Sequence, residues 1–194
     1  MSAYLTKEKH LNYKKDNTEL TNLNFPIGEF VIPDKITDED IKKYINTIET
    51  LPSRLTELVS GFSEKQFGTV YREGGWNVRQ VINHVADSHM NAYIRFKLAL
   101  TEKTPVINPY REAVWAEHSD GKSCNPEVSL KLIEALHYRW AMFLKSLSRS
   151  DFRRGYFHPE LEKVISLEEA AASYSWHGEH HSAHISELKK RKAW

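Results

Sequence analysis

The chain has 194 residues, a formal net charge of +1 from 27 Lys and Arg against 26 Asp and Glu, and a single cysteine, Cys124. That length suits one domain with a substantial core, and the interspersed charges exclude bulk attraction to nucleic acid or to an anionic membrane surface. No apolar run approaches the roughly 18–20 residues that cross a bilayer, one cysteine cannot close an intramolecular disulfide, and no signal-peptide pattern opens the chain, so a cytoplasmic protein is expected.

Residues 1–24, rich in Lys, Asn, Asp and Thr without apolar periodicity, read as a flexible extension, which leaves 25–194 as one domain. Phe25 to Pro33 carries turn residues and reads as an irregular arm. Thr37 followed by Asp38, Glu39 and Asp40 is an N-cap with an acidic first turn. Behind it Ile41, Tyr44, Ile45, Ile48, Leu55, Leu58 and Val59 recur at helical spacing as far as Gly61. Pro52 is expected to kink or interrupt this first helix, because it lacks a backbone donor and crowds the preceding turn. Gly74-Gly75 is a turn, Asn77 an N-cap, and residues 78 to about 102 hold no Gly or Pro and predict a second helix. Thr104 to Asn125, with Pro105, Pro109 and Gly121, predicts a long crossover loop with a short helix around Glu112 to Glu117; loops of that length are more often functional than idle. Asn125-Pro126-Glu127 opens a third helix running through Val128, Leu132, Ile133, Leu136, Phe143, Leu144 and Leu147. Tyr156 to Val164 reads as a short extended segment or hairpin. Ser166 and Glu169 make a capping box for a fourth helix that reaches about Lys190, where cations suit the C-terminus. The expected architecture is an all-α four-helix bundle with a long crossover connection.

Ten histidines stand out, five of them at position 158 or beyond. On the fourth helix Ala170, Tyr174, His177, His181, His184, Ile185 and Leu188 fall within an arc of about 100°, so imidazoles interrupt a core-facing stripe. One buried histidine on such a face is most often a satisfied core side chain; several together point to metal. Histidines at i and i+4 turn their rings toward one ion, and two such pairs occur, His177/His181 and His180/His184. Helical angle favours the first slightly, since His180 lies about 40° outside the arc. The order around Glu179 is not the H-E-x-x-H of zinc proteases, and Glu179 reads as a solvated charge. Two histidines need a further ligand, and the second helix offers His84. His84, Ser88, Asn91 and Arg95 form a polar seam free of Lys and Glu, which lines either solvent or an interior pocket. Asp87 and Asn91 could orient the imidazole, and Arg95 could bind an anionic part of a substrate. His89 lies in the apolar arc and reads as structural. His10, His118, His137 and His158 read as non-ligands, and Cys124 as incidental.

The stretch Tyr71 to Asn91 (YREGGWNVRQVINHVADSHMN) with Tyr93 to Lys97, and the later Trp176 to Ile185 (WHGEHHSAHI), closely resemble the DinB-like superfamily and its YfiT branch of metal-dependent hydrolases. Pro26 to Glu29, Asn108-Pro109-Tyr110 and Gly155 to Pro159 fit the same branch, so the resemblance runs from about residue 22 to the C-terminus. It implies a four-helix bundle with zinc or nickel at one end, held by His84, His177 and His181, in a cytoplasmic homodimer. It thereby resolves the choice between the two i,i+4 pairs and leaves His180 and His184 as flanking residues. The sequence departs from the family at Asn83 and Glu179, where relatives can carry further histidines.

Three neutral imidazoles leave a coordination position open, where a bound water is acidified toward a pKa of about 7. The leading expectation is therefore metal-assisted hydrolysis of a small molecule. The alternative is S-transfer from a metal-bound low-molecular-weight thiol such as bacillithiol, and a third reading is a non-catalytic metal-binding module. Spacing alone identifies no general base.

Overall fold

The computed structural model describes residues 23–194, so the predicted extension lies outside the described residues apart from Leu23 and Asn24. The arm begins with a turn in which the Gly28 N–H donates to the Phe25 carbonyl at 2.9 Å. Pro26 presets the backbone early in that turn, and Gly28 closes it at φ +82°, a conformation that suits glycine.

Helix α1 spans Asp38–Leu58 and opens with the Thr37/Asp40 capping box. It buries Ile41, Ile45, Ile48, Leu51 and Leu55 along one face. Pro52, expected to kink or interrupt this helix, does not interrupt it. A proline there deprives the Ile48 carbonyl of its helical donor, and the carbonyl receives His137 Nδ1 instead. The supply of a substitute donor from another helix explains how the proline is carried inside an unbroken helix.

A one-turn helix α2 (Glu64–Phe67) leads to α3 (Val78–Thr101), capped by Asn77 and Gln80. The crossover holds two short helices, α4 (Glu112–Trp115) and α5 (Ser119–Ser123), so it is more ordered than its composition suggested. Then come α6 (Pro126–Lys145), one-turn α7 (Arg149–Phe152), strands β1 (Gly155–His158) and β2 (Lys163–Ser166), and α8 (Leu167–Lys192). The helices α1, α3, α6 and α8 are the four expected, and all carry the predicted N-caps. In the bundle α1 packs on α6 and α8, and α3 packs on the same two, which puts α1 and α3 on one diagonal and α6 and α8 on the other. No helix among the described residues is long and apolar enough to cross a membrane.

The extended segment is an antiparallel hairpin, with Gly155 opposite Ser166 and His158 opposite Lys163. The start of the crossover adds to it, since Phe157 bonds both Pro105 and Ile107 through the backbone. A Cβ at Gly155 would be driven into the Ile165 carbonyl oxygen. Gly155→Ala is therefore expected to lower stability by about 1–3 kcal/mol, read as a reduced urea midpoint, because the obstacle is backbone that cannot rotate away. The same hairpin delivers Ser166 to the N-cap of α8 and so sets which face of that helix turns inward.

The apolar core is in two parts. One gathers Ile41, Ile45, Ile48, Phe96, Trp140, Leu144, Leu167 and Ala170, and the other Leu51, Leu55, Val78, Val81, Ile133, Ile185 and Leu188. Between them, on α3, α6 and α8, lies a buried layer of His84, His89, His137, His177, His181 and His184. Along α8 the histidines fall between Tyr174 of the first part and Ile185 of the second.

Candidate metal centre

Helix α8 carries His177 and His181 one turn apart on its buried face, and α3 brings His84 opposite them. On another side of α8, Gly178 permits close approach to α1, because a Cβ there would meet Leu51 Cδ2 at 2.5 Å. One ring nitrogen from each of His84, His177 and His181 lies within 4.8 Å of the others. His84 Nε2 and His177 Nε2 are 3.2 Å apart. Two nitrogens bound to one zinc-sized ion at roughly 2.0–2.1 Å in tetrahedral array lie about 3.3–3.4 Å apart, so this spacing fits a divalent ion with little adjustment. His181 Nδ1 is buried without a hydrogen-bond partner among the described residues, as are His180 Nδ1 and His184 Nδ1.

The electrostatics suit ligation. Burial, reinforced by neighbouring imidazoles, pushes His84 and His181 well below the ordinary histidine range. Burial likewise lowers His177 to about 3. All three are neutral at physiological pH with a lone pair available, which is the state a metal requires. A second group, His180, His181 and His184, also has ring nitrogens within 4.8 Å and shares His181 with the first. Its outer members make further contacts, although His180 Nδ1 and His184 Nδ1 are buried without a hydrogen-bond partner among the described residues. His184 Nε2 lies 3.2 Å from the Asn24 carbonyl and its ring stacks on Tyr71 at 4.0 Å, while His180 stacks on Trp176 at 4.4 Å.

The polar seam of α3 faces inward. Ser88 and Arg95 are buried, Asp87 and Asn91 partly so. Arg95 donates to the Tyr174 hydroxyl and to the Asn108 carbonyl, both at 3.3 Å, and Ser88 hydrogen-bonds Tyr110 and Tyr174. Asn91 spends its amide on the Asp87 backbone carbonyl at 2.8 Å and not on an imidazole. Burial, then the nearby Asp120, raises the Asp87 carboxyl to about 6. The side chain that does hydrogen-bond one of these three rings from outside the group is, among the described residues, His89, whose Nε2 is 3.0 Å from His177 Nδ1. Sequence reasoning missed it because its position lies inside the apolar arc.

The face of α3 bearing His84 also holds the crossover. Gln80 donates to the Ala116 carbonyl at 3.0 Å and to Glu117 at 3.2 Å, Asn83 donates to the Asp120 and Gly121 carbonyls at 3.1 and 2.9 Å, and Arg79 donates to the Cys124 carbonyl. Asn83, beside His84, is thus a loop anchor.

These features define a four-helix bundle with a buried cluster of metal-competent histidines and an ordered crossover pinned across the helix that supplies one of them. The chain belongs to the DinB superfamily, whose family profile matches residues 47–185. It is 47% identical over 173 residues, 89% of this chain and 97% of the relative, to Bacillus subtilis YfiT, provisionally named a metal-dependent hydrolase. A Bacillus cereus relative with the same provisional description is 49% identical over 175 residues, 90% of this chain and 100% of its own length. The solved structure of the Bacillus subtilis protein, described as a probable metal-dependent hydrolase with an unusual four-helix bundle topology, superposes with a TM-score of 0.87 over 89% of this chain and 99% of that one.

Proposed function

We propose that the chain is a cytoplasmic, metal-dependent hydrolase of a small molecule, with His84, His177 and His181 holding one zinc or nickel ion. The observation that carries this reading is the convergence of three buried, neutral imidazoles from two helices within 4.8 Å. Among the described residues no fourth His, Cys, Asp or Glu shares the full set of distances, which leaves a coordination position for substrate or water. A divalent ion held there supplies Lewis-acid polarisation and a water acidified toward a pKa of about 7. Asp87, one turn from His84 on α3 and raised to about 6 by burial and Asp120, is assigned to the lining beside the ion or to substrate binding. Arg95, buried beside Tyr174 and Asn108, is suited to an anionic group on the substrate. The outward stripe of α6, Val128, Leu132, Tyr138 and Met142, supports a homodimer.

The test is turnover of a panel of small esters and amides by zinc- or nickel-loaded protein, with and without a low-molecular-weight thiol and an electrophilic dye. Thiol-independent cleavage is expected. Turnover that requires the thiol and yields a dye conjugate would replace hydrolysis with S-transfer.

A further inference from the structure

Four polar groups run in line from the centre of the bundle to the proline of α1. His177 Nδ1 lies 3.0 Å from His89 Nε2, His89 Nδ1 lies 2.9 Å from His137 Nε2, and His137 Nδ1 meets the Ile48 carbonyl. The contacts join α8, α3, α6 and α1, and His89 and His137 are fully buried. No carboxylate takes part, so the line differs from the usual support of a metal-bound histidine by a carboxylate, a carbonyl or water.

We propose that His89 and His137 are positioning residues for the centre, forming with the Ile48 carbonyl a one-way chain of hydrogen bonds that holds His177 as its Nδ1–H tautomer and turns Nε2 to the ion. The inference rests on the reading of His177 as a ligand. Its direction follows from one end. A carbonyl oxygen can only accept, so His137 must donate from Nδ1. A neutral imidazole has one ring proton, so His137 Nε2 is an acceptor and His89 must donate to it from Nδ1. His89 Nε2 is then the acceptor for His177 Nδ1–H, and the His177 lone pair is left on Nε2, the atom 3.2 Å from His84 Nε2. His89 and His137 are fully buried, His177 is buried, and no carboxylate takes part in the line, a setting that favours uncharged rings. The anchor is a consequence of sequence: Pro52 has no N–H, so the Ile48 carbonyl is free for a side chain. Stacking reinforces the alignment, with His89 and His137 rings 4.9 Å apart and 12° from parallel, and Trp140 edge-on to both.

The test combines tautomers with affinity. Ring-nitrogen NMR of the wild-type zinc-loaded protein should find His89, His137 and His177 all protonated on Nδ1; Nε2–H at His89 or His137 would overturn the chain. His89→Leu, which removes the acceptor, is expected to weaken zinc binding roughly 10- to 100-fold, with partial rescue in His89→Gln, whose amide oxygen can accept. Pro52→Ala restores a helical donor to Ile48, so it should raise or preserve the urea midpoint and yet weaken zinc binding several-fold. A merely structural role would move both readouts the same way. Unchanged affinity in His89→Leu would sink the positioning role, and unchanged affinity in Pro52→Ala would remove Ile48 as its anchor. Should His89→Leu fail to fold, the wild-type tautomers still decide. Failure of the wild type to take up zinc or nickel would instead strike the metal reading itself, leaving the tautomers to judge the chain.

Discussion

Replacement of His177, His181 or His84 by alanine is expected to lower zinc affinity by at least about a hundredfold each, more than loss of a supporting partner costs. Two imidazoles of the proposed centre then remain, too few for tight retention; the overlapping group His180, His181 and His184 stays whole in His84→Ala and His177→Ala, so affinity kept in those two variants would place the ion in that group. His180→Ala and His184→Ala should change affinity less than about tenfold, because they act beside the ligand rings and not on the ion. Competition with a chromophoric chelator, on protein shown to be folded by circular dichroism, reads all five. The comparison separates the two histidine groups that share His181. If His180→Ala were as damaging as His177→Ala, and His84→Ala were harmless, the centre would belong to His180, His181 and His184 instead.

The metal-free protein is expected to unfold in mildly acidic solution, well above the range where ordinary carboxylates titrate. His84, His89, His137, His177 and His181 are all lowered by burial, His137 to about 4 and His177 to about 3. Above the unfolded value near 6.5 all five are neutral in both states, so stability is flat with pH. Below it the unfolded chain binds protons that the folded chain refuses, and stability falls as pH falls until each folded value is reached. Each group contributes about 1.4 kcal/mol per pH unit in that window. At pH 5.5 the five together cost on the order of 7 kcal/mol, comparable with the whole stability of a typical domain. Asp87 works in the opposite sense, because its raised value favours proton uptake by the folded state, and it offsets part of this cost. Urea unfolding after chelation at pH 8, 7, 6 and 5.5 measures the effect, with zinc-loaded protein as the control expected to resist to lower pH. A stability unchanged between pH 7 and 5.5 would show that the imidazoles are not buried and neutral together.

Helix starts were legible because capping is local chemistry. Thr37, Asn77, Asn125 and Ser166 each place a side-chain oxygen within reach of the next turn's amides, whatever the rest of the fold does. The inward stripe of α8 and the i,i+4 spacing of His177 and His181 are likewise properties of one helix. That Pro52 leaves α1 uninterrupted was not legible for the complementary reason: its cost depends on whether another segment can serve the Ile48 carbonyl, and that donor, His137, lies 89 residues away in sequence. The order of the crossover was underestimated in the same way, since Gln80 and Asn83 supply its hydrogen bonds from α3.

The sequence by itself determined the four helices, their inward faces and the presence of more buried imidazoles than a core normally holds, because periodicity and capping act over a turn or two. Only the tertiary structure decided how those imidazoles meet. Angle along α8 left His177/His181 and His180/His184 nearly equivalent, and the packing of α3 against α8 brought His84 to 3.2 Å from His177. It also turned His89, by its place in an apolar arc a structural residue, onto the second nitrogen of His177. Ring-to-ring contacts between helices depend on crossing position and side-chain rotamer, which no single helix specifies.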